Sequence, residues 1–483
     1  MRCNYERLSA LDAAFLGVEN PSSHMHVGAV GLFEAGPLRQ SDGSIQIDRI
    51  RRLVEAGFRK FPRYRQKLAW IPLLRRPVWV DDQRFNLGYH VRLTALPRPG
   101  DERTLKRLAA RIASQPLDRG KPLWEMWVVE GLEGDRVALV SKIHHCMIDG
   151  VSGTDLIGAL LRLDRSRDPA LEEPAPRWIP RWTPSGRDLL LDEVARVAAG
   201  PLGLARQAVA ALRRPRRAVS TAAATLRGVG QALAAGMAGG SETPLNQPIG
   251  PHRRFDWTEL DLSEIRDVKN RLGGHVNDVV LTVVAGAFGR FLRARGLRVG
   301  DLDFRAMVPV NLRNENDHDT LGNRVTSMLA KLPIGERDPL ARFQQVAATM
   351  EQIKASPQAA GVQALEEFAD VTSNALLSVL AKFSARNRAY NVVVTNVPGP
   401  QIPLYMLGAR MQAIYPLVPL FENQAVGIAV FSYDGKLYWG FNADHDEVPD
   451  LHELVTALDS EFAALRAAAI GDPGVQEIES LAG

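Results

Sequence analysis

Two runs of alternating residues, "PLWEMWVVEGL" and "RVALVSKIHH", flank the turn "EGD", and the second ends on a histidine pair. Alternation is the period of a pleated strand, so Val137, Leu139, Ser141 and Ile143 share one face and the pair falls at the strand's C-terminal end. Directly after it, "GVSGTDLIGALLRL" returns to helical spacing through Leu156, Ile157, Leu160 and Leu161. The seven residues 144–150, HHCMIDG, therefore form a strand-to-helix loop.

The same mixture recurs along the chain. "IDRIRRLVEAGFRKFP" carries a helical stripe (Ile47, Ile50, Leu53, Val54, Phe58) closed by Pro62. In the second half, "LSEIRDVKNRLG" and the largely apolar "HVNDVVLTVVAGAFGRFLRARG" read as helices, as does the C-terminal "LHELVTALDSEFAALRAAA". "DFRAMVPVNLR", "AYNVVVTNVPGP", "AVGIAVFSYDG" and "KLYWGFNAD" read as strands. A length of 483 residues exceeds what one core usually serves, which predicts an α/β protein of two domains. The Pro-rich, charged segment from about 165 to 185 closes the first. The expected division is 1–185, a basic helical linker over 186–250, and 251–483.

Composition excludes several classes. With 46% hydrophobic and 24% charged residues the chain is not disordered, and a net charge of +4 is too small for a general nucleic-acid binder. Cys3 and Cys146 cannot build a disulfide framework or a thiolate metal site, which fits a reducing cytoplasm. No run of 18 apolar residues spans a membrane, and the N-terminus lacks the apolar core of a signal peptide. Residues 194–241 contain seven arginines and no acid, so their helices are expected to be basic and amphipathic. They serve either as a solvated bridge between domains or as a face for anionic lipid.

The chemistry concentrates in the loop. A neutral imidazole accepts a proton near neutral pH, which makes His144 or His145 a candidate general base. Side chains at consecutive strand positions diverge, so only one of the two faces a given cleft. Asp149 is placed to fix the turn, and Gly150 permits φ > 0 or close backbone approach. Three competing readings stand beside this one: a metal bound by His144, His145 and Asp149, a Cys146 nucleophile, and histidines that merely satisfy core hydrogen bonds. The first conflicts with the divergence of neighbouring side chains, and the second with the poor geometry of sequence neighbours. His24 and His26, two apart, are expected to share a strand face as a polar cluster near the site.

HHxxxDG resembles the signature of the chloramphenicol acetyltransferase-like superfamily of CoA-dependent acyltransferases and condensation domains. Further stretches, "LSALDAAFLGVENPSSHMHVGAV", "PLDRGKPLWEMWVVEGL", "TPLNQPIGPHRRF", "VNDVVLTVVAGAFGRFL", "MVPVNLR" and "TNVPGP", are similar to the bacterial wax ester synthase/diacylglycerol acyltransferase family, in its order and over nearly the whole chain. The resemblance implies two chloramphenicol acetyltransferase-like domains, each a mixed sheet with flanking helices, joined by a helical linker and enclosing a tunnel at their junction. It implies a catalytic set of His145 as base, His144 as accessory, and Asp149 and Gly150 holding the loop. Asn277 and Asp278 match the family's Asn-Asp pair. Pro122, Leu123 and Trp124 match another motif, with packing or tunnel wall as their apolar role, and Arg253 and Arg254 are candidates for CoA phosphates or for solvent.

The implied reaction is O-acyl transfer from a long-chain acyl-CoA to diacylglycerol or a fatty alcohol, with no covalent acyl-enzyme, no metal and no cofactor, acyl-CoA being a substrate. The implied setting is the cytoplasm, with peripheral contact to membrane or lipid inclusions. The alternatives are a condensation enzyme fed by a carrier protein and a non-catalytic lipid-inclusion protein.

Overall fold

The computed structural model describes residues 4–58, 61–147, 160–165, 178–196, 239–311, 325–355 and 389–470. The hairpin anticipated around "EGD" forms as β6 (Trp124–Leu132) and β7 (Arg136–His144), turned through Gly134 and Asp135, both at positive φ. Antiparallel to β7 runs β2 (His26–Glu34), and β5 (Val91–Ala95) closes the other edge in parallel with β6. A smaller sheet holds β1 (Glu6–Arg7), β4 (Arg76–Asp81) and β3 (Gln66–Ile71) in that order.

The second half builds a six-stranded sheet. Its order is β10 (Val325–Lys331), β9 (Arg305–Asn311), β11 (Val392–Val397), β14 (Val426–Tyr433), β15 (Lys436–Asp444) and β8 (Arg253–Asp261). Parallel pairing of β11 with β9 and β14, amid antiparallel neighbours, makes it a mixed sheet.

Helices cover these sheets by apolar stripes. α1 (Ala10–Val18) is capped by the Ser9 side chain on the Asp12 N–H at 3.0 Å. α2 (Ile47–Gly57) buries Ile50, Leu53 and Val54, and α3 (Glu102–Ser114) buries Leu105, Ala109 and Ile112. α4 (Leu262–Leu272) stops at Gly273, whose φ of 75° ends the helix without Cβ strain. α5 (Val276–Ala294) is apolar on every side because it lies inside the second core, against α6 (Pro339–Ala355) and α7 (Leu451–Ile470). Burying Val284, Phe288 and Leu292 contributes at most about 1.5–3 kcal/mol each, and a charge at Val284 would cost more than any one of them. Among the described residues no single helix is long and apolar enough to cross a membrane.

The architecture departs from a simple division at 185 and 250. β12 (Tyr405–Met406) and β13 (Ala409–Leu417), from the second half, complete the first sheet: β13 pairs antiparallel with β2 across Gly28–Phe33. The first core accordingly includes Met411, Ile414 and Tyr438. β13 passes close over β15, and Gly440 makes room for it: a Cβ there would lie 1.7 Å from the Pro416 carbonyl oxygen. The expected linker is also integral at both ends. A helix over 186–196 buries Leu189 with Ile71, Val78 and Val80 of the small sheet, while Leu245, Asn246 and Ile249 are buried in the second half. The physical reason is that strand "ARMQAIYPL" carries no punctuation marking it as a visitor, and helix 186–196 buries Leu189 while Leu191 and Val194 stay exposed, so its apolar residues do not mark one face.

Candidate active site

Register brings the histidines together. His26 lies directly opposite His144 across the β2–β7 ladder, and the chain between α1 and β2 folds over that end of the sheet. Glu19, in this connection, accepts the Met25 N–H at 2.9 Å and pairs with Arg119 at 2.5 Å. Its Oε1 also lies 3.1 Å from His144 Nε2. On the other side of that ring, Nδ1 accepts the Cys146 N–H at 3.1 Å. A nitrogen that accepts carries no proton, which leaves Nε2 as the ring's donor; it lies near Glu19 without the geometry of a hydrogen bond to it. Burial pushes the Glu19 carboxyl up, but His144, Arg119 and the Met25 N–H together outweigh it and hold the group well below the usual carboxylate range.

His145 opens a short 3₁₀ turn with Cys146 and Met147, so its side chain leaves β7 in a different direction. Its N–H donates to the Met25 carbonyl at 2.7 Å, and its ring stacks on Phe15 with centroids 4.0 Å apart. Ring Nδ1 is buried with no hydrogen-bond partner among the side chains and backbone of other described residues. Burial, with a smaller push from His144 and a partial offset from the residue's own backbone, lowers the His145 pKa to about 4. The imidazole is thus neutral at physiological pH.

A cavity of about 230 Å³ opens beside His144, lined also by Glu19, His24, His26, Arg119 and Leu123. His24 stacks on His26 at 5.3 Å, and His26 meets His144 edge-on at 6.0 Å, which places the expected polar cluster at the site. Burial drives the pKa of both down, that of His26 far down. No group of three metal-ligating side chains converges among the described residues. Cys146 is buried, and burial raises its thiol far above the ordinary value, the opposite of an activated nucleophile.

Below the cavity, Lys142 shares a face of β7 with His144. Its Nζ donates to the Ile112 and Gln115 carbonyls at 2.9 and 2.8 Å, with Glu125 Oε1 3.5 Å away. A buried cation at the C-terminal end of α3 satisfies carbonyls that the helix leaves open and fixes that end against the histidine strand.

The remaining candidates divide. Leu123 is wall: it lines the cavity and its carbonyl accepts the His144 N–H at 2.9 Å. Pro122 is buried beside it, its carbonyl accepting the Trp124 N–H at 2.9 Å. Trp124 is packing, stacked on His90 at 4.6 Å with its indole N–H on the Tyr64 carbonyl. Asp278 caps α5, accepting the His275 N–H at 2.8 Å, and Asn277 follows the helix start half-buried; neither lines the histidine cavity. Arg253 is buried and committed: it donates to the Gly250, His252 and Ser22 carbonyls and lies 3.7 Å from Asp444. Its location excludes the solvent reading. Arg254 is half-exposed, with Nε on the His445 carbonyl at 3.0 Å. Asp149 and Gly150 lie outside the described residues, as do residues 151–159, where the sequence predicts a helix, and most of the arginine-rich stretch over 194–241.

Sequence reasoning overlooked Glu19, Arg119 and Lys142. Lys142 was open to it, since strand alternation puts residues 142 and 144 on one face. Glu19 was not, because its approach to His144 is created by the fold of a connecting segment.

Two mixed sheets, the first completed by a strand from the second half, with a histidine pair at one strand's end, make up the fold of wax ester synthase/diacylglycerol acyltransferases and of condensation domains. The first condensation domain of the calcium-dependent antibiotic synthetase shares this fold at 15% identity and a TM-score of 0.56, with 98% of this chain and 97% of that one covered. The family is narrower. Residues 8–280 match the wax ester synthase/diacylglycerol acyltransferase catalytic domain, and residues 321–466 match the family's C-terminal domain. A Mycobacterium tuberculosis (strain CDC 1551 / Oshkosh) protein named as a diacylglycerol O-acyltransferase is 35% identical over 455 residues, covering 92% of this chain and 87% of its own. The solved wax ester synthase/diacylglycerol acyltransferase from Marinobacter aquaeolei VT8 is 26% identical with a TM-score of 0.66, covering 96% of this chain and 99% of that one. The chain belongs to the wax ester synthase/diacylglycerol acyltransferase family and is an acyltransferase.

Proposed function

We propose that the protein transfers a long-chain acyl group from acyl-CoA to diacylglycerol or a long-chain fatty alcohol, forming triacylglycerol or wax ester, with His145 as general base. The observation that carries the role of His145 is its environment: a ring stacked on Phe15, on a backbone whose N–H is anchored to the Met25 carbonyl, and kept neutral by burial. Nδ1 is enclosed next to the residue's own backbone, which leaves Nε2 as the nitrogen to work.

Nε2 takes the hydroxyl proton as the alcohol oxygen attacks the thioester carbon. The tetrahedral oxyanion then collapses, the carbon–sulfur bond breaks, and the proton passes from imidazolium to the departing CoA sulfur. As the attacking oxygen bonds to the thioester carbon its O–H becomes more acidic, and the negative charge developing on the carbonyl oxygen stabilises the imidazolium being formed, so a pKa of about 4 in the resting enzyme is compatible with the work. No acyl-enzyme and no cofactor is required. Asp149 is assigned to holding the loop, and Asn277, which does not line the histidine cavity, to the start of α5. Water competes with the alcohol, so an apolar channel that excludes it favours long chains, each buried methylene adding about 0.8 kcal/mol.

The protein works in the cytoplasm at a lipid surface. Leu73 at the β3–β4 turn is 87% exposed, and Ile179 and Trp182 are 80% and 81% exposed, with exposed Arg75 near Leu73 in sequence and Arg181, next to Trp182, paired with Asp81 at 2.9 Å. Apolar side chains among arginines suit a bilayer or inclusion surface bearing anionic headgroups.

The test is to incubate wild type and His145→Ala with palmitoyl-CoA and either hexadecanol or a diacylglycerol, following thiol release and resolving the lipids. Ester formed by wild type and lost in the folded variant supports the reading. Esterification from an acyl-carrier protein but not from acyl-CoA would replace it with the carrier-fed alternative, and inclusion binding without CoA release with the coat-protein one.

A further inference from the structure

A second, larger concavity lies beside the histidine cavity, between α3 and the strand β8. It encloses about 1180 Å³. Arg103, Arg107 and Arg111 stand four residues apart on α3, on one exposed face along its wall, and Arg254 of β8 joins them. None of the three α3 arginines has a carboxylate within ion-pair distance among the described residues. The acids on the same wall are already spoken for. Glu102 and Asp256 both pair with Lys106, at 2.7 and 2.6 Å, and Asp256 also takes His452 at 2.9 Å. The cleft therefore presents a row of guanidinium groups in excess of its anions, spread over two turns of helix.

The cleft also borders the histidine cavity. Pro116, just past α3, lines both this cleft and the cavity that holds His144. Ser114 accepts the Arg253 N–H at 2.9 Å, and Lys142 holds the carbonyls of Ile112 and Gln115. The wall shared by cleft and cavity is thus tied to both halves of the molecule.

We propose that the cleft between α3 and β8 is the binding site for the phosphorylated nucleotide end of the acyl donor, held by Arg103, Arg107, Arg111 and Arg254, with the pantetheine arm passing Pro116 towards the histidines. This rests on the acyl-CoA reading above. A coenzyme A head carries a pyrophosphate and a separate ribose phosphate, and planar guanidinium groups on successive turns match such spaced anions better than a single cation does. The remainder of the donor is uncharged, so the arginines act on the head alone.

The experiment compares wild type with the triple variant Arg103→Ala/Arg107→Ala/Arg111→Ala, all three positions being exposed. Initial rates are taken with palmitoyl-CoA and with the palmitoyl thioester of N-acetylcysteamine, which has no nucleotide, and binding of 3′,5′-ADP is measured by calorimetry. The expected result is a KM for palmitoyl-CoA raised roughly ten- to a hundredfold, kcat and the truncated-thioester rates unchanged, and 3′,5′-ADP binding lost. Wild-type KM and 3′,5′-ADP affinity in a triple variant that still uses palmitoyl-CoA would overturn the site while leaving the function intact. Wild type that acylates from the truncated thioester but neither binds nor uses palmitoyl-CoA would instead overturn the acyl-CoA reading, and the site with it. Loss of binding to anionic vesicles with KM unchanged would reassign the cleft to lipid headgroups.

Discussion

Glu19 Oε1 lies 3.1 Å from His144 Nε2, and the opposite nitrogen of the same ring accepts the Cys146 N–H. The first histidine of the pair is therefore held at both ends, by a carboxylate from the α1–β2 connection and by the backbone of the turn that carries the second. His144 is a positioning residue in this arrangement: it fixes the turn from which His145 projects.

Replacing Glu19 by glutamine removes the charge from this contact while keeping its shape. A carboxylate this close to a buried ring contributes on the order of 1.5–3 kcal/mol, so kcat is expected to fall roughly ten- to a hundredfold, with KM for the acyl donor little changed. Glu19→Asp should recover part of the rate. A kcat equal to wild type in Glu19→Gln would show that the ring is held without the charge.

Loss of His145 removes the base itself. Positioned general-base catalysis is worth about 10²- to 10⁴-fold, and His145→Gln should lose that much in kcat while retaining the fold by circular dichroism. Full activity in the variant would move the base elsewhere.

The pH dependence follows from burial. His145 is lowered from 6.5 to about 4 and His26 is lowered as well, so both stay neutral in the folded protein where the unfolded chain would already protonate. Stability from these groups is present above about pH 6.5 and declines as pH falls towards 4, because the unfolded state then binds more protons. Glu19, whose pKa is depressed, acts lower still: its contribution is present above about 4.5 and is lost as pH falls further. The free enzyme's acid limb in kcat/KM should accordingly lie nearer 4 than 6.5, provided the protein is assayed where it remains folded. A limb at 6.5 would show a solvated base.

Cys146 offers a control. Its thiol is buried and its pKa raised, so Cys146→Ala should keep kcat within a few fold and wild type should resist thiol-alkylating reagents under native conditions. Rapid inactivation by alkylation would reopen the nucleophile reading.

Contact with lipid is checked by flotation. Leu73→Ser/Trp182→Ser is expected to reduce binding to vesicles containing anionic lipid while leaving rates on a dispersed short-chain alcohol unchanged; undiminished flotation would place the contact elsewhere.

What the chain determined by itself was local and periodic. Alternation in "RVALVSKIHH" put the histidines at a strand end, because a strand's side-chain period is independent of what it packs against; His24 joins His26 through a tight turn just before β2. The three-residue turn, the helix stop at Gly273 and the apolar α5 were equally legible, each resting on backbone conformation or burial within a few residues. Tertiary structure decided which distant groups meet. Glu19 reaches His144 only because the α1–β2 connection folds over the sheet end, and the arginines of α3 face β8 only because β13 crosses to the first sheet and draws the two halves together. Electrostatic energy depends on separation in space and on burial, neither of which is recorded in the order of residues, so the charges that tune the site became visible only in the folded molecule.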